Sequence, residues 1–354
     1  MSDFYQRYFL VCLVSILCIC IVGYMHVPVV TQTKSNKQVW ALYFAHYGNL
    51  ETDGTWKIWK MKRGEWINKY FEPPSSIPSI YFPMLGLYSS HHKPTLKKHL
   101  AMISDAHIDA IIVPWDGQKT KDQKESGFID ESLEILMKLA PKYSIHVGIL
   151  LSDTFLTSKT AENNIEYYLN YCIGQYEESC LKYNKKPVVF AHHSLPHVKS
   201  FHENISFFGF GDNLKEAISA HEKGFEGFTT YSPYTQTTFF DDPDHWDDSA
   251  KTLISRGINF VPSIMPGLNE TVMNKQLAYR AKSRQSGKFY DSQWKAALDS
   301  GANIILINSF NNWLDGTVIE PVLNNANYQL DENIWAENDP EYFLHATEKW
   351  IHYI

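Results

Sequence analysis

Along most of the chain, short apolar runs rich in β-branched and aromatic residues alternate with stretches in which hydrophobic side chains return at helical spacing. The runs fall at Val39–Phe44, Ala110–Pro114, His146–Leu151, Pro187–Ala191, Ser206–Phe210, Gly227–Tyr231, Asn259–Ser263 and Asn303–Ile307. Each reads as a strand buried on both faces, because a strand with one wet face would alternate polar and apolar residues instead. Between them Leu96, Leu100 and Ile103 share one helical face, as do Leu133, Leu136 and Ala140, and Leu214, Ile218 and His221. Alternation of strand and helix builds parallel βαβ units. Eight such alternations over residues 38–354 predict an α/β fold, a single (β/α)8 TIM barrel, in preference to a doubly wound sheet. The stretch from Trp66 to Ser79, with Pro73, Pro74 and Pro78, predicts a long irregular first loop.

The N-terminus breaks this rhythm. Residues Tyr8 to Met25 carry no charge, and as a helix they would be roughly 27 Å long, close to the thickness of a bilayer's hydrocarbon. A cleaved signal peptide competes with a signal anchor here. The run is longer than a usual signal core and no small-x-small site follows it, so the anchor is the expected reading. Residues 1–7 are then a cytoplasmic tail, 8–25 the transmembrane helix and 26–37 a stalk. The triplets Asn204-Ile205-Ser206 and Asn269-Glu270-Thr271 become N-glycosylation acceptors if the large C-terminal part enters the secretory lumen.

Charge and cysteine content narrow the picture further. Lys and Arg number 32 against 39 Asp and Glu, with no long basic run, which argues against nucleic acid as a partner. Three of the five cysteines lie in the N-terminal apolar run, leaving Cys172 and Cys180. On one continuous helix from Asn164 to Tyr183 these two would stand roughly 12 Å apart, too far to bridge; a disulfide needs a break, as at Gly174. Spacing for a zinc site is absent, and no metal or cofactor is expected.

A barrel of this kind carries its chemistry where the strands end. The first strand leads into His46 and Tyr47, the second into Trp115 and Asp116, the third into Ser152 and Asp153, and the fourth into His192 and His193. Asp212, Tyr231 and Ser263 follow, and after the eighth come Asn311, Asn312, Trp313 and Asp315. Carboxyl groups, amides and aromatic rings converging on one mouth suit the binding and hydrolysis of sugars.

Five collinear segments sharpen that expectation. YFAHYGNLETDGTWKIW (Tyr43 to Trp59), FPMLGLYSS (Phe82 to Ser90), VPWD (Val113 to Asp116), FVPSIMPG (Phe260 to Gly267) and SFNNWLDGTVIEP (Ser309 to Pro321) resemble, in order and spacing, motifs of glycoside hydrolase family 99, the endo-α-1,2-mannosidases. The resemblance implies a Golgi membrane protein, single-pass type II with a luminal catalytic-type domain, that acts on mannose-containing N-glycans. It also implies retaining hydrolysis in which one Glu takes the proton of the substrate 2-OH. A second Glu, three residues on, protonates the leaving oxygen. Tyr231 matches an active-site tyrosine of the family, and Tyr47, His46, Trp115, Asp116, Trp313 and Glu320 fall in its glycan-binding motifs. For Tyr47 and Trp313 framework packing competes with sugar contact, and for Glu320 a buried ion pair does.

The chain departs from the pattern where the chemistry is most demanding. The first Glu position is Asn312 and the second is Asp315. An amide oxygen is too weakly basic to take a hydroxyl proton, and Asp315 is a methylene shorter than Glu. The family's His-Ile-Glu-Pro-Tyr after the third strand corresponds to Leu150-Leu151-Ser152-Asp153-Thr154. Two readings follow: an endo-α-mannosidase-like protein with altered carboxyl groups, and a catalytically inactive glycan-binding protein of the same fold. A metal-dependent hydrolase using His192, His193 and His197 with Asp116 and Asp153 is disfavoured, because Pro196 interrupts any helix there.

Overall fold

The computed structural model describes residues 37–62, 64, 67–118, 126–151, 158–195, 203–230, 240–323 and 339–354. The expected tail and membrane helix, and all of the stalk but Lys37, lie outside them. Among the described residues no helix is long and apolar enough to cross a membrane.

Eight parallel strands form the centre. They are β1 (Gln38–Leu42), β2 (Ala110–Trp115), β3 (His146–Leu151), β4 (Lys186–His192), β5 (Ser206–Phe210), β6 (Gly227–Thr229), the seventh strand, and β8 (Ile304–Ile307). Each pairs with its neighbour in sequence, and β1 pairs with β8, Gln38 opposite Ile304 and Ala41 opposite Ile307. The seventh strand comes in two halves. Its first half, β7 (Asn259–Val261), pairs with β6, while the second, β7′ (Ser263–Ile264), pairs with β8. Pro262 joins the halves and has no N–H to give a ladder; its carbonyl still accepts from Leu306 N–H. The sheet thus runs round on itself through one proline.

Alternation of side chains explains why the strands read as unbroken apolar runs. On β1, Val39 and Ala41 pack outward among the helices, whereas Trp40 and Leu42 fill the barrel with Ile112, Leu150, Phe190, Phe208 and Leu306. Trp40 meets Phe190 and Phe208 edge-on, with centroids 6.0 and 5.5 Å away. Such edge-to-face contacts add roughly 0.5–1.5 kcal/mol each to area burial. Gly227 of β6 stands opposite Phe208, and any Cβ there would collide with that ring.

Outside the sheet lie α1 (Lys93–Asp105), α2 (Ser126–Leu139), α3 (Ser158–Asn170), α4 (Leu214–Glu222), α5 (Trp246–Ile254), α6 (Lys288–Asp299) and α7 (Tyr342–Ile351). Among the described residues no helix stands between β4 and β5. The first two predicted stripes are buried as expected, with Leu96, Leu100, Ile103, Leu133, Leu136 and Ala140 all in the core. The third is shifted. On α4 it is Ala217 and Ala220 that are fully buried, while Leu214 and Ile218 are half-covered and His221 is exposed. Small residues let this helix lie close to the sheet.

The single continuous helix from Asn164 to Tyr183 is not formed; the chain takes the other course, a break around Gly174 that lets Cys172 and Cys180 meet. The α-helix stops at Asn170 and gives way to a π turn at Tyr171–Gln175, after which Tyr176 leaves helical geometry. The chain doubles back. Cys172 and Cys180 come within 5.4 Å (Cα to Cα) and form a buried disulfide, a separation inside the usual window for such a bond.

Candidate active site at the barrel mouth

Two structures share the mouth, a buried framework and a turn. The framework is built on Glu320, which is wholly buried. One oxygen of its carboxyl accepts the Tyr88 hydroxyl at 2.8 Å; the other meets His99 Nε2 at 3.1 Å. Through its other ring nitrogen, His99 bonds the Tyr43 hydroxyl at 2.8 Å. Tyr88 is the hub, for its oxygen also accepts from Trp313 Nε1 (3.0 Å) and Asn311 Nδ2 (3.2 Å). Asn311 then clamps the end of β1: its Oδ1 accepts Phe44 N–H at 2.7 Å, and its Nδ2 donates to Phe44 O at 2.9 Å. Tyr47 completes the set by donating its hydroxyl to Asn311 O and accepting Trp313 N–H. Burial raises the hydroxyl pKa of Tyr43, Tyr47 and Tyr88 well above the usual value, so all three stay protonated.

Of the residues predicted to bind glycan, Tyr47, Trp115, Trp313 and Glu320 therefore sit inside packing. Trp115 stacks near Tyr167 and donates its indole N–H to Asp130 at 3.1 Å. For Glu320, Tyr47 and Trp313 the packing alternative is the one the contacts describe. His99 and Tyr88, the partners that hold Glu320, were not singled out in the sequence. A buried histidine on the α1 stripe, one residue before Leu100, was the only local hint.

The turn that follows β8 is different in kind. Ser309 Oγ accepts the Asn312 N–H at 2.7 Å, Asn312 O accepts the Gly316 N–H, and Gly316 reverses the chain at φ +71°, a left-handed conformation that suits glycine. Thr317 then reaches back, donating its N–H (3.1 Å) and hydroxyl (2.8 Å) to Asp315 Oδ1. Asn312 Nδ2 donates to Asp315 Oδ2 at 2.6 Å, so Asn312 and Asp315 meet directly. Asn312 Oδ1 is left buried with no hydrogen-bond partner. Asp315 keeps part of its surface in solvent, yet enough chain packs round its carboxyl for desolvation to lead. Its pKa is pushed up to about 7, with Thr317 opposing and nearby Glu270 reinforcing the rise. A carboxyl poised there can give a proton and take one back near neutral pH.

Where β1 and β2 end, the mouth opens into a cleft of about 510 Å³ lined by His46, Trp56, Lys57, Lys60, Asp116 and Phe128 among others. His46 and Asp116 are the two predicted glycan-binding residues that face open space. Burial lowers the His46 pKa to about 4, so its ring is neutral, and its Nε2 is buried without a partner. The ring packs 4.6 Å from that of Tyr47, linking cleft to framework. Trp56 and Lys57, on the loop after β1, and Phe128, in the first turn of α2, were missed, because no periodicity marks them as lining the mouth. Deeper in the barrel Leu42, Leu150, Phe190, Phe210, Thr229, Thr230, Ser263 and Leu306 floor the mouth around a small void.

The remaining predicted positions divide. Tyr231, Asp153 and His197 lie outside the described residues. His192 bonds Ser194 through its ring, and His193 Nδ1 lies 3.7 Å from Glu216. Among the described residues these two form no metal-binding group with Asp116. Asn204 is exposed in the turn before β5. Asn269 is at the mouth, where its backbone N–H donates to Asp315 O at 2.7 Å and its Oδ1 accepts from Thr271.

Comparison with known proteins agrees with this geometry. The family model described as Glycosyl hydrolase family 99 matches residues 34–354. The Glycoprotein endo-alpha-1,2-mannosidase of Mus musculus is 24% identical over 346 residues, which cover 88% of this chain and 73% of that protein. The Homo sapiens Glycoprotein endo-alpha-1,2-mannosidase-like protein is 25% identical over 347 residues, covering 89% and 75%. Among solved structures, the GH99 endo-alpha-mannosidase from Bacteroides thetaiotaomicron superposes with a TM-score of 0.79 at 24% identity, over 91% of this chain and 98% of that one. That superposition establishes the shared barrel.

Proposed function

This chain belongs to glycosyl hydrolase family 99, and on that premise we propose that it is a glycoprotein endo-α-1,2-mannosidase-like protein acting on mannose-rich N-linked glycans, with its catalytic turn reduced to one carboxyl group. The observation that carries the reading is the Asn312–Asp315 contact in the turn after β8, with Asp315 poised near pH 7. Asp315 is the proton donor to the leaving oxygen and the base that later activates water. Asn312 occupies the place from which the substrate 2-OH would be deprotonated, and its amide cannot do this. General-base assistance is worth roughly 10²–10⁴-fold, so turnover is slow and substrate binding outlasts it. His46 and Asp116 supply polar contacts in the cleft.

The same contact favours a second reading, a glycan-binding protein without hydrolysis. Incubation of the protein with a glucosylated high-mannose glycan separates the two. The first reading expects release of a disaccharide, abolished in Asp315→Ala. Calorimetric binding with no disaccharide from a long incubation supports the second, and neither binding nor release rejects both.

The proposed address is the Golgi membrane, with a single-pass type II anchor at Tyr8–Met25 and the barrel in the lumen. The uncharged run, the two glycosylation triplets and the buried Cys172–Cys180 disulfide support it, since disulfides persist in oxidising compartments. Protease protection of the C-terminus in intact vesicles tests it; digestion without detergent rejects it.

A further inference from the structure

At the end of the barrel opposite the cleft, His107, Glu348 and His352 bring their ligand atoms within 4.8 Å of one another. The chain path explains how. His107 lies in the turn between α1 and β2, held at φ +58° with its N–H donating to Ser104 O. Histidine enters this left-handed region more readily than most residues. Glu348 is on α7 and His352 caps its C-terminal end, so a spacing of one helical turn puts both on the same face. The two imidazole rings are 5.4 Å apart. Both histidines are exposed and Glu348 is half-buried. Among the described residues none of the three side chains has a hydrogen bond or ion pair, so no other contact accounts for their convergence.

We propose that these three residues bind one zinc ion, with water completing the coordination. Two imidazoles and one carboxylate suit a borderline divalent metal, whereas calcium and magnesium prefer all-oxygen sites. Bonds of about 2.0–2.2 Å to a tetrahedral ion require ligand atoms about 3.3 Å apart. The contraction from 4.8 Å to that spacing is what rotation of the two exposed histidine side chains would supply. The role is structural. The site stands at the N-terminal ends of the strands, the face of a barrel that serves stability, and it fastens the C-terminal helix to the α1–β2 turn. Because the three residues converge only in the folded chain, zinc stabilises that state by binding to it alone and leaves the mouth untouched.

The test uses the full-length chain made without a histidine tag and stripped of metal with chelator. Calorimetric titration with zinc chloride is expected to show one ion per chain, and saturation to raise Tm by about 3 °C or more. Magnesium chloride is expected to do neither. Glu348→Gln and His352→Gln should each weaken zinc binding at least about tenfold, while leaving the metal-free Tm unchanged because both sites are at the surface. His107→Asn, which tolerates the same backbone, should do likewise. Glycan binding should be the same with and without chelator. Absence of zinc uptake, uptake undiminished in all three variants, or glycan binding lost on chelation would overturn the proposal.

Discussion

Glu320 and Asp315 belong to one short segment after β8, and the fold treats their carboxyl groups in opposite ways. Glu320 is sealed from water with both oxygens engaged, and its partners Tyr88 and His99 are themselves tied to Trp313, Asn311 and Tyr43. Asp315 is bonded too, but its proton affinity is raised and its neighbour Asn312 keeps a buried acceptor unpaired. A satisfied polar network specifies one arrangement; a half-satisfied one stores a cost. Such costs gather where a protein acts on something else. The segment after β8 thus contains two kinds of position, one locked into the frame and one left free to react; on the proposed function, the departures of this chain fall on the second.

Removing the frame should have the largest effect. Glu320→Ala strips Tyr88 and His99 of a shared acceptor in a dry site, which is expected to cost about 3–5 kcal/mol. Urea unfolding followed by tryptophan fluorescence measures it; a loss below about 1 kcal/mol would mean that Glu320 is not a keystone. Tyr88→Phe is milder. It leaves Trp313 Nε1 without an acceptor and Glu320 short of one donor, an expected loss of about 2–3 kcal/mol with the glycan cleft otherwise intact.

Changes in the turn should move chemistry and spare the fold. Asn312→Glu restores a carboxylate beside Asp315 and is expected to raise disaccharide release at least about tenfold. It should also shift the pH dependence upward, because a like charge makes Asp315 still harder to ionise. Unchanged release from a folded variant would point instead to the end of the third strand, where the resemblance pairs Leu150 with the family's His and Ser152 with its Glu.

The fold was legible because both faces of a parallel barrel are buried, so each strand writes itself as an apolar run that needs no partner to be recognised. Its ends were less so. Pro262 divides the seventh strand through a pairing that only the closed sheet reveals, and although Gly174 marked where a break would allow the disulfide, sequence alone left open whether the helix breaks there. For the site, sequence put forward His46, Asp116, Asn312 and Asp315 alongside Tyr47, Trp115, Trp313 and Glu320, with no means of sorting open positions from packed ones. The decisive bonds of Trp313, Tyr88, Asn311 and Glu320 join residues far apart along the chain, and no local pattern records them. The proton affinity of Asp315 is likewise a product of what surrounds it.

That affinity gives the smallest effect and the most specific check. In the folded chain the Asp315 pKa is raised from its ordinary 3.8 to about 7. Between these values the folded state holds a proton that the unfolded chain has released. Stability therefore falls as pH rises through this window, and the loss is complete above it. Asp315→Asn removes the titration. Its amide oxygen can still accept from Thr317, and its N–H can donate to Asn312 Oδ1, the acceptor now left unpaired. The variant should match the native chain near pH 4 and exceed it by about 1 kcal/mol or more at pH 8, while losing any hydrolysis. Thermal unfolding at the two pH values measures the gap. A gap that does not widen with pH, or that favours the native chain at pH 8, would show that Asp315 is as fully satisfied as Glu320 and that the two carboxyl groups are not opposites.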